Sequence, residues 1–182
     1  MPPANFPELQ TERLFLKQLE IEDWETISFL RTDAHVNKYV KRSSAATKEK
    51  AVEFILKIQS NFENSIAYYW KIVPKNENKM IGSICLWNFS EDRNQAEVGY
   101  DLHPSFQGKG MMQEALKAIV QFGFDTLNLQ RVEAYTHGKN EPSINLLTRN
   151  GFELIEGKKD GDNEHNIVLL SPKKKNESDI QP

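Results

Sequence analysis

Apolar residues fall into two rhythms along this chain, and where one gives way to the other the elements can be read off. Over residues 13–19 the apolar positions alternate, with Leu14, Leu16 and Gln18 on one face, which predicts a strand. Asp23 then stands where a helix cap belongs, ahead of Trp24, Ile27, Phe29 and Leu30 at helical spacing. Residues 33–46 hold neither rhythm clearly; a short helix near residues 36–40, followed by a loop at Ser43 and Ser44, is the expectation. Thr47 caps a second helix whose stripe of Ala51, Phe54, Ile55, Ile58 and Phe62 reads as core. Aromatic and β-branched residues over 66–73 predict a strand that turns at 74–78 into a returning strand over 80–89. A second polar turn at 90–94 leads into a strand over 96–102. Met112, Ala115, Leu116, Ile119, Val120 and Phe124 then mark a long helix, and residues 131–136 another strand. Pro142 opens a helix that runs to Asn150 and ends at Gly151, and two strands follow over 152–156 and 166–170. Residues 1–11, rich in proline, are expected to lie loosely on the surface. Such an order predicts an α/β (α+β) domain: a mixed, mostly antiparallel sheet with helices on both faces.

Composition narrows the classes. At 182 residues, with 38% hydrophobic and 27% charged side chains, the chain suits one soluble domain with a sizeable core. Residues 1–171 read as that domain, and 172–182, lysine-rich and poor in apolar residues, as a disordered tail. A net charge of −3 argues against nucleic-acid binding, and no apolar run approaches the ~20 residues of a membrane span. The first five residues carry no signal-peptide pattern, and the single cysteine, Cys85, precludes an internal disulfide; a cytoplasmic location is expected. His35, His103, His137 and His165 are scattered without metal-ligand spacing, so no metal is expected. Cys85 sits in an apolar strand and reads as a small core residue.

Chemistry enters at one joint. Between the strand over 96–102 and the long helix lies His103-Pro104-Ser105-Phe106-Gln107-Gly108-Lys109-Gly110-Met111-Met112. Two glycines leave the backbone bare at a helix N-terminus, where free N–H groups and the positive end of the dipole converge, and such a place binds phosphate. The joint is not a P-loop, for the Gly-Lys-Ser/Thr ending is missing, and Gly108 and Gly110 alone do not make a dinucleotide fingerprint.

A second motif follows the next strand: Asn140-Glu141-Pro142-Ser143, closing with Gly151-Phe152. With Gln107-Gly108-Lys109-Gly110, with Thr11-Glu12-Arg13-Leu14 and with Ala96-Glu97-Val98-Gly99-Tyr100, it resembles the GNAT N-acetyltransferase superfamily over roughly residues 8 to 170. The resemblance is strongest to the branch that acetylates ribosomal-protein N-termini. It implies an acetyl-CoA-dependent transferase whose sheet splays between its fourth and fifth strands, residues 96–102 and 131–136, to admit the pantetheine arm. Gln107, Gly108, Lys109, Gly110, Met111 and Met112 would hold the pyrophosphate, Asn140 and Ser143 would contact the cofactor arm, and a backbone N–H near Leu102 would polarise the thioester carbonyl. The resemblance makes Glu97 the candidate base and Ser143 the hydroxyl nearest the leaving sulfur, with an ordinary strand glutamate and a helix-packing serine as the plainer alternatives. Two departures stand out. Ser105 takes a place where the superfamily favours Gln or Arg, and Leu147 stands seven residues after Asn140, where many members carry a tyrosine. The acceptor implied is a primary amine, in first place a protein N-terminus. Alternatives are a small amine such as an aminoglycoside or polyamine, or an acyl-CoA sensor without turnover. The assembly expected is a monomer or homodimer.

Overall fold

The computed structural model describes residues 5–158, 160–161 and 163–173. Eight strands form one sheet, in the order β1 (Leu9–Gln10), β2 (Leu14–Gln18), β3 (Tyr68–Pro74), β4 (Gly82–Trp87), β5 (Gln95–Leu102), β6 (Arg131–His137), β8 (Asn166–Pro172), β7 (Glu153–Leu154). Every neighbouring pair is antiparallel except β5 and β6. A parallel pair needs a crossover, and α3 (Met111–Asp125) supplies it. The other helices are α1 (Trp24–Thr32), α2 (Lys48–Glu63) and α4 (Glu141–Arg149). None is long and apolar enough to cross a membrane among the described residues.

The alternation that predicted the strands also builds two cores. Along β3, Tyr68, Trp70 and Ile72 pack toward α3, whose Met112, Ala115, Leu116 and Ile119 cover Leu14, Leu16, Ile84 and Val98. Tyr69, pointing the other way, joins Leu19, Ile27, Leu30, Ala51 and Ile55 beneath α1 and α2. Leu116 and Ile119 are fully buried, each burial contributing about 1.5–3 kcal/mol. At Gly82, paired with Leu102, an added Cβ would stand 2.4 Å from the Asp101 carbonyl oxygen, so glycine alone lets β4 lie this close to β5.

Several expectations change. The described part of the N-terminal stretch is not loose: Phe6 packs edge-on against Phe62 and Trp70, Trp70 Nε1 donates to the Pro7 carbonyl, and Leu9–Gln10 pairs with β2. Residues 34–39 form turns rather than a helix, because the Asp33 carboxylate takes the Val36 N–H and the Asn37 amide folds back onto the Leu30 carbonyl. Asp23 holds the cap position of α1 without capping it. Its carboxylate accepts from the Glu20 N–H and from Lys71 instead. Pro172, placed in the tail, closes β8, and Lys173 donates through its backbone to Gln130 and through Nζ to the Phe124 carbonyl. The rest of the expected disordered tail lies outside the described residues.

Candidate active site

β5 and β6 pair only from Gln95 to Glu97 against Arg131 to Glu133. Beyond that, β5 stays with β4 as far as Leu102 and β6 stays with β8 as far as His137. The sheet therefore opens at its parallel pair, β5 and β6. The His103 N–H reaches the Ile81 carbonyl of the β4 side, so alternation turns the peptide groups of Tyr100 and Leu102 the other way, into the opening. The Leu102 carbonyl takes the Gln107 amide at 3.0 Å. The opening is continuous with a cavity of about 1580 Å³, whose lining includes Gly108 and Gly110 as well as Tyr39 and Arg42. Its volume exceeds the ~300–1,000 Å³ of ordinary small-ligand sites and leaves room for two reactants.

At the mouth of the opening, Gly108 and Gly110 take φ of +72° and +76°, the left-handed region that glycine enters without strain. Gly110 is the N-cap of α3 and brings no capping side chain. Among the described residues nothing accepts from the backbone N–H groups of Gly108, Lys109, Gly110, Met111 or Met112. Gln107 differs from expectation: its N–H is already held by the Pro104 carbonyl, so the bare run begins one residue later. The Lys109 ammonium lies 5.4 Å over the Phe106 ring. Behind the loop, Glu114 accepts from Thr11 Oγ1, from the Arg13 N–H and from Arg13 Nε, while Arg13 Nη1 donates to the Lys109 carbonyl. Burial of the Glu114 carboxyl opposes its charge, but these hydrogen bonds outweigh it and hold the group below the usual carboxylate range. Thr11 and Arg13 thus brace the loop, a role their sequence position did not reveal.

Glu97 sits at the last paired position, beside Glu133 in register. Burial pushes its carboxyl up to about 7, and the charges of Asp160 and Glu133 add to that, against a 3.4 Å hydrogen bond from Asn88 and the pull of Lys158. Glu133, almost fully buried, is held by Lys158 Nζ at 2.5 Å and by the Tyr135 hydroxyl at 3.0 Å. Across the opening Asn140 caps α4, its Oδ1 accepting from the Ser143 N–H at 3.4 Å. The Ser143 hydroxyl lies 2.8 Å from that of Tyr100. Leu147 is fully buried in the core.

On the α1–α2 face a second polar chain crosses the cavity floor. The Tyr69 hydroxyl donates to Ser83 at 2.6 Å, Ser83 donates to Asp101 at 2.5 Å, and Asp101 meets Arg42 at 2.7 Å. Arg42 also donates to the Leu30 carbonyl and to Asn37, fastening the segment between α1 and α2 against β5. Burial drives the nearby Cys85 thiol up to about 12, which leaves it un-ionised and unreactive. Among the described residues no cluster of His, Cys, Asp and Glu could hold a metal ion.

Strands that part beside bare helix-end amides, with a near-neutral carboxyl at the apex, belong together in the GNAT class of acyltransferases. Residues 13–153 match the family profile of the acetyltransferase (GNAT) domain, so the chain belongs to that family and is an N-acetyltransferase. It is 34% identical over 146 residues to the uncharacterized N-acetyltransferase p20 of Bacillus licheniformis, covering 80% of this chain and 82% of that one. To the [ribosomal protein uS5]-alanine N-acetyltransferase of Escherichia coli it is 33% identical over 91 residues, 48% of this chain and 45% of the other. The crystal structure of ribosomal-protein-S5-alanine acetyltransferase from Vibrio fischeri superposes with a TM-score of 0.78 at 28% identity, covering 91% of this chain and 96% of that one.

Proposed function

We propose that this protein moves an acetyl group from acetyl-CoA to the α-amine of a protein N-terminus in the cytoplasm. The observation that carries the proposal is the bare run of N–H groups from Gly108 to Met112 at the mouth of a parted sheet. Five amide dipoles and a helix N-terminus converge there with no acceptor among the described residues, which suits a diphosphate. The residues present fit acetyl-CoA, which supplies an activated thioester when bound. Gly108 to Met112 would hold its diphosphate, Asn140 still has its amide N–H groups for the arm, and the Leu102 N–H faces the opening where a carbonyl would lie.

Glu97 takes the proton of the acceptor ammonium, directly or through one water. An α-amine titrates near 7.7–8.0 and a lysine near 10.4, so a carboxyl at about 7 is matched to the first and poorly matched to the second. The Leu102 N–H polarises the carbonyl, and the Ser143 hydroxyl donates a hydrogen bond to the leaving sulfur. The names of the relatives that act on ribosomal proteins point to the same acceptor class.

The test is release of CoA thiol from acetyl-CoA with peptides bearing free N-termini, with spermidine and with an aminoglycoside, the products located by mass spectrometry. Acetylation of peptide α-amines is expected. Reaction of the small amines alone would transfer the reading to the small-amine alternative, and tight acetyl-CoA binding with no turnover on any amine would overturn the acceptor assignment.

A further inference from the structure

Leu147 stands where the family resemblance would place a tyrosine hydroxyl, and it is sealed in the core, so position 147 offers no hydroxyl to a leaving sulfur. A phenol reaches the first turn of α4 from the opposite wall. Tyr100 comes from β5, the strand whose peptide groups face the opening, and its hydroxyl has one partner among the described residues, the Ser143 hydroxyl at 2.8 Å. The couple joins one wall of the opening to the first turn of α4. A serine hydroxyl accepts two hydrogen bonds and donates one. Either hydroxyl of the pair can donate; where the phenol donates, Ser143 keeps its own hydrogen free, and donation along the chain strengthens that hydrogen as a donor.

We propose that Tyr100 is a positioning residue that fixes the Ser143 hydroxyl as a donor to the leaving sulfur, replacing from the strand what position 147 lacks. This rests on the reading that Ser143 faces the sulfur. The phenol holds its proton throughout: burial pushes it up to about 12, whereas a thiol titrates near 8.5. As the N–C bond forms and the C–S bond breaks, CoA leaves as the thiolate, the acceptor nitrogen sheds its remaining extra proton to solvent, and solvent protonates the sulfur. The hydroxyl pair lends hydrogen bonds and loses nothing.

The experiment is a double-mutant cycle on the full chain, with acetyl-CoA and an accepting peptide, after thermal melts show each variant folded. Tyr100→Phe keeps the ring and removes only the hydroxyl. It should lower kcat roughly 3- to 10-fold, the worth of one hydrogen bond, with KM for acetyl-CoA unchanged. Ser143→Ala should lower kcat at least as much, and the double variant should be no slower than Ser143→Ala alone. A double variant slowed by the product of the two single effects, or Tyr100→Phe at the wild-type kcat, would overturn the proposal. Ser143→Ala at the wild-type rate would remove it together with the assignment of Ser143. Failure of the unaltered protein to bind acetyl-CoA in calorimetry would strike instead the reading beneath both.

Discussion

The two faces of β5 do different kinds of chemistry. Toward α3, Val98 and Leu102 are packed into the core, and what that side offers a ligand is mainly backbone, the peptide groups of the strand and the bare amides of the glycine loop, with the Tyr100–Ser143 hydroxyl pair and Asn140 beside them. Toward α1 and α2, Glu97 and Asp101 face a cavity floored by side-chain hydroxyls and closed by Arg42. Backbone recognition depends on strand geometry and on two glycines, and it tolerates change in the side chains around it. Side-chain recognition depends on each partner. The first arrangement suits a cofactor shared by a whole family, the second an acceptor that differs from one member to the next.

The sharpest way to break that contrast is Gly108→Glu. An added Cβ at Gly108 meets nothing within 4 Å, so the pocket has room for the side chain. The left-handed φ costs about 1–2 kcal/mol for any other residue, and a carboxylate would stand where a diphosphate belongs. Acetyl-CoA binding should fall below detection in calorimetry while the protein stays folded; retained micromolar binding would refute the cradle.

Next in size is Glu97→Gln, expected to lower kcat/KM for the peptide about 100-fold or more. The unaltered enzyme should gain activity as pH rises through about 7, where Glu97 ionises, and the variant should keep only the limb set by the amine. Stability should move oppositely. A carboxyl raised in the folded state stabilises fully below its unfolded value near 4.3 and loses that contribution as pH rises to about 7. Glu97→Gln should therefore melt higher than wild type above pH 7, by about 1–2 kcal/mol after allowance for its partial exposure. A profile with no inflection near 7 would dismiss Glu97 as the base.

Arg42→Met tests the other face alone. It leaves the Asp101 carboxylate, 9% exposed, without its cation, which should destabilise the protein by about 3 kcal/mol. The acceptor KM should rise while acetyl-CoA affinity holds, because the bare amides lie in a different element. Equal losses for both substrates would show that the faces are not separable.

The same contrast governs how much was legible beforehand. The strand, glycine loop and helix from Ala96 to Phe124 are local: period, proline and glycine sit in one continuous stretch, and the structure keeps them nearly where the pattern put them. The contacts that complete the site are not local. Tyr100 meets Ser143 across 43 residues, Arg42 meets Asp101 across 59, and Thr11 meets Glu114 across 103. Nothing in the period of a helix or strand encodes such a pairing. Tyr100 belongs to the motif over residues 96–100, but its partner is set by the fold, which puts β5 and α4 on opposite sides of the opening. Residues 33–46 resisted for a further reason: side chains of Asp33, Asn37 and Arg42 hold the segment by hydrogen bonds to backbone and carboxylate, and apolar periodicity is silent about those.

The smallest expected effect concerns the apex, where the two faces meet. The groups around Glu97 come from three elements: Asn88 after β4, Glu133 on β6, and Lys158 and Asp160 between β7 and β8. Two carboxylates oppose the charge of Glu97, and the cation of Lys158, bound to Glu133, favours it. Lys158→Met removes that cation and so disfavours ionised Glu97. The limb of the pH–rate profile should move upward by roughly half a pH unit, less than a buried partner would give because Lys158 is 36% exposed and screened by solvent. The variant should be slower than wild type at pH 6.5 and equal to it at pH 8.5, with acetyl-CoA affinity unchanged at both. A limb that stays put would mean that burial alone sets Glu97, and one that moves down would refute an attraction between Lys158 and ionised Glu97.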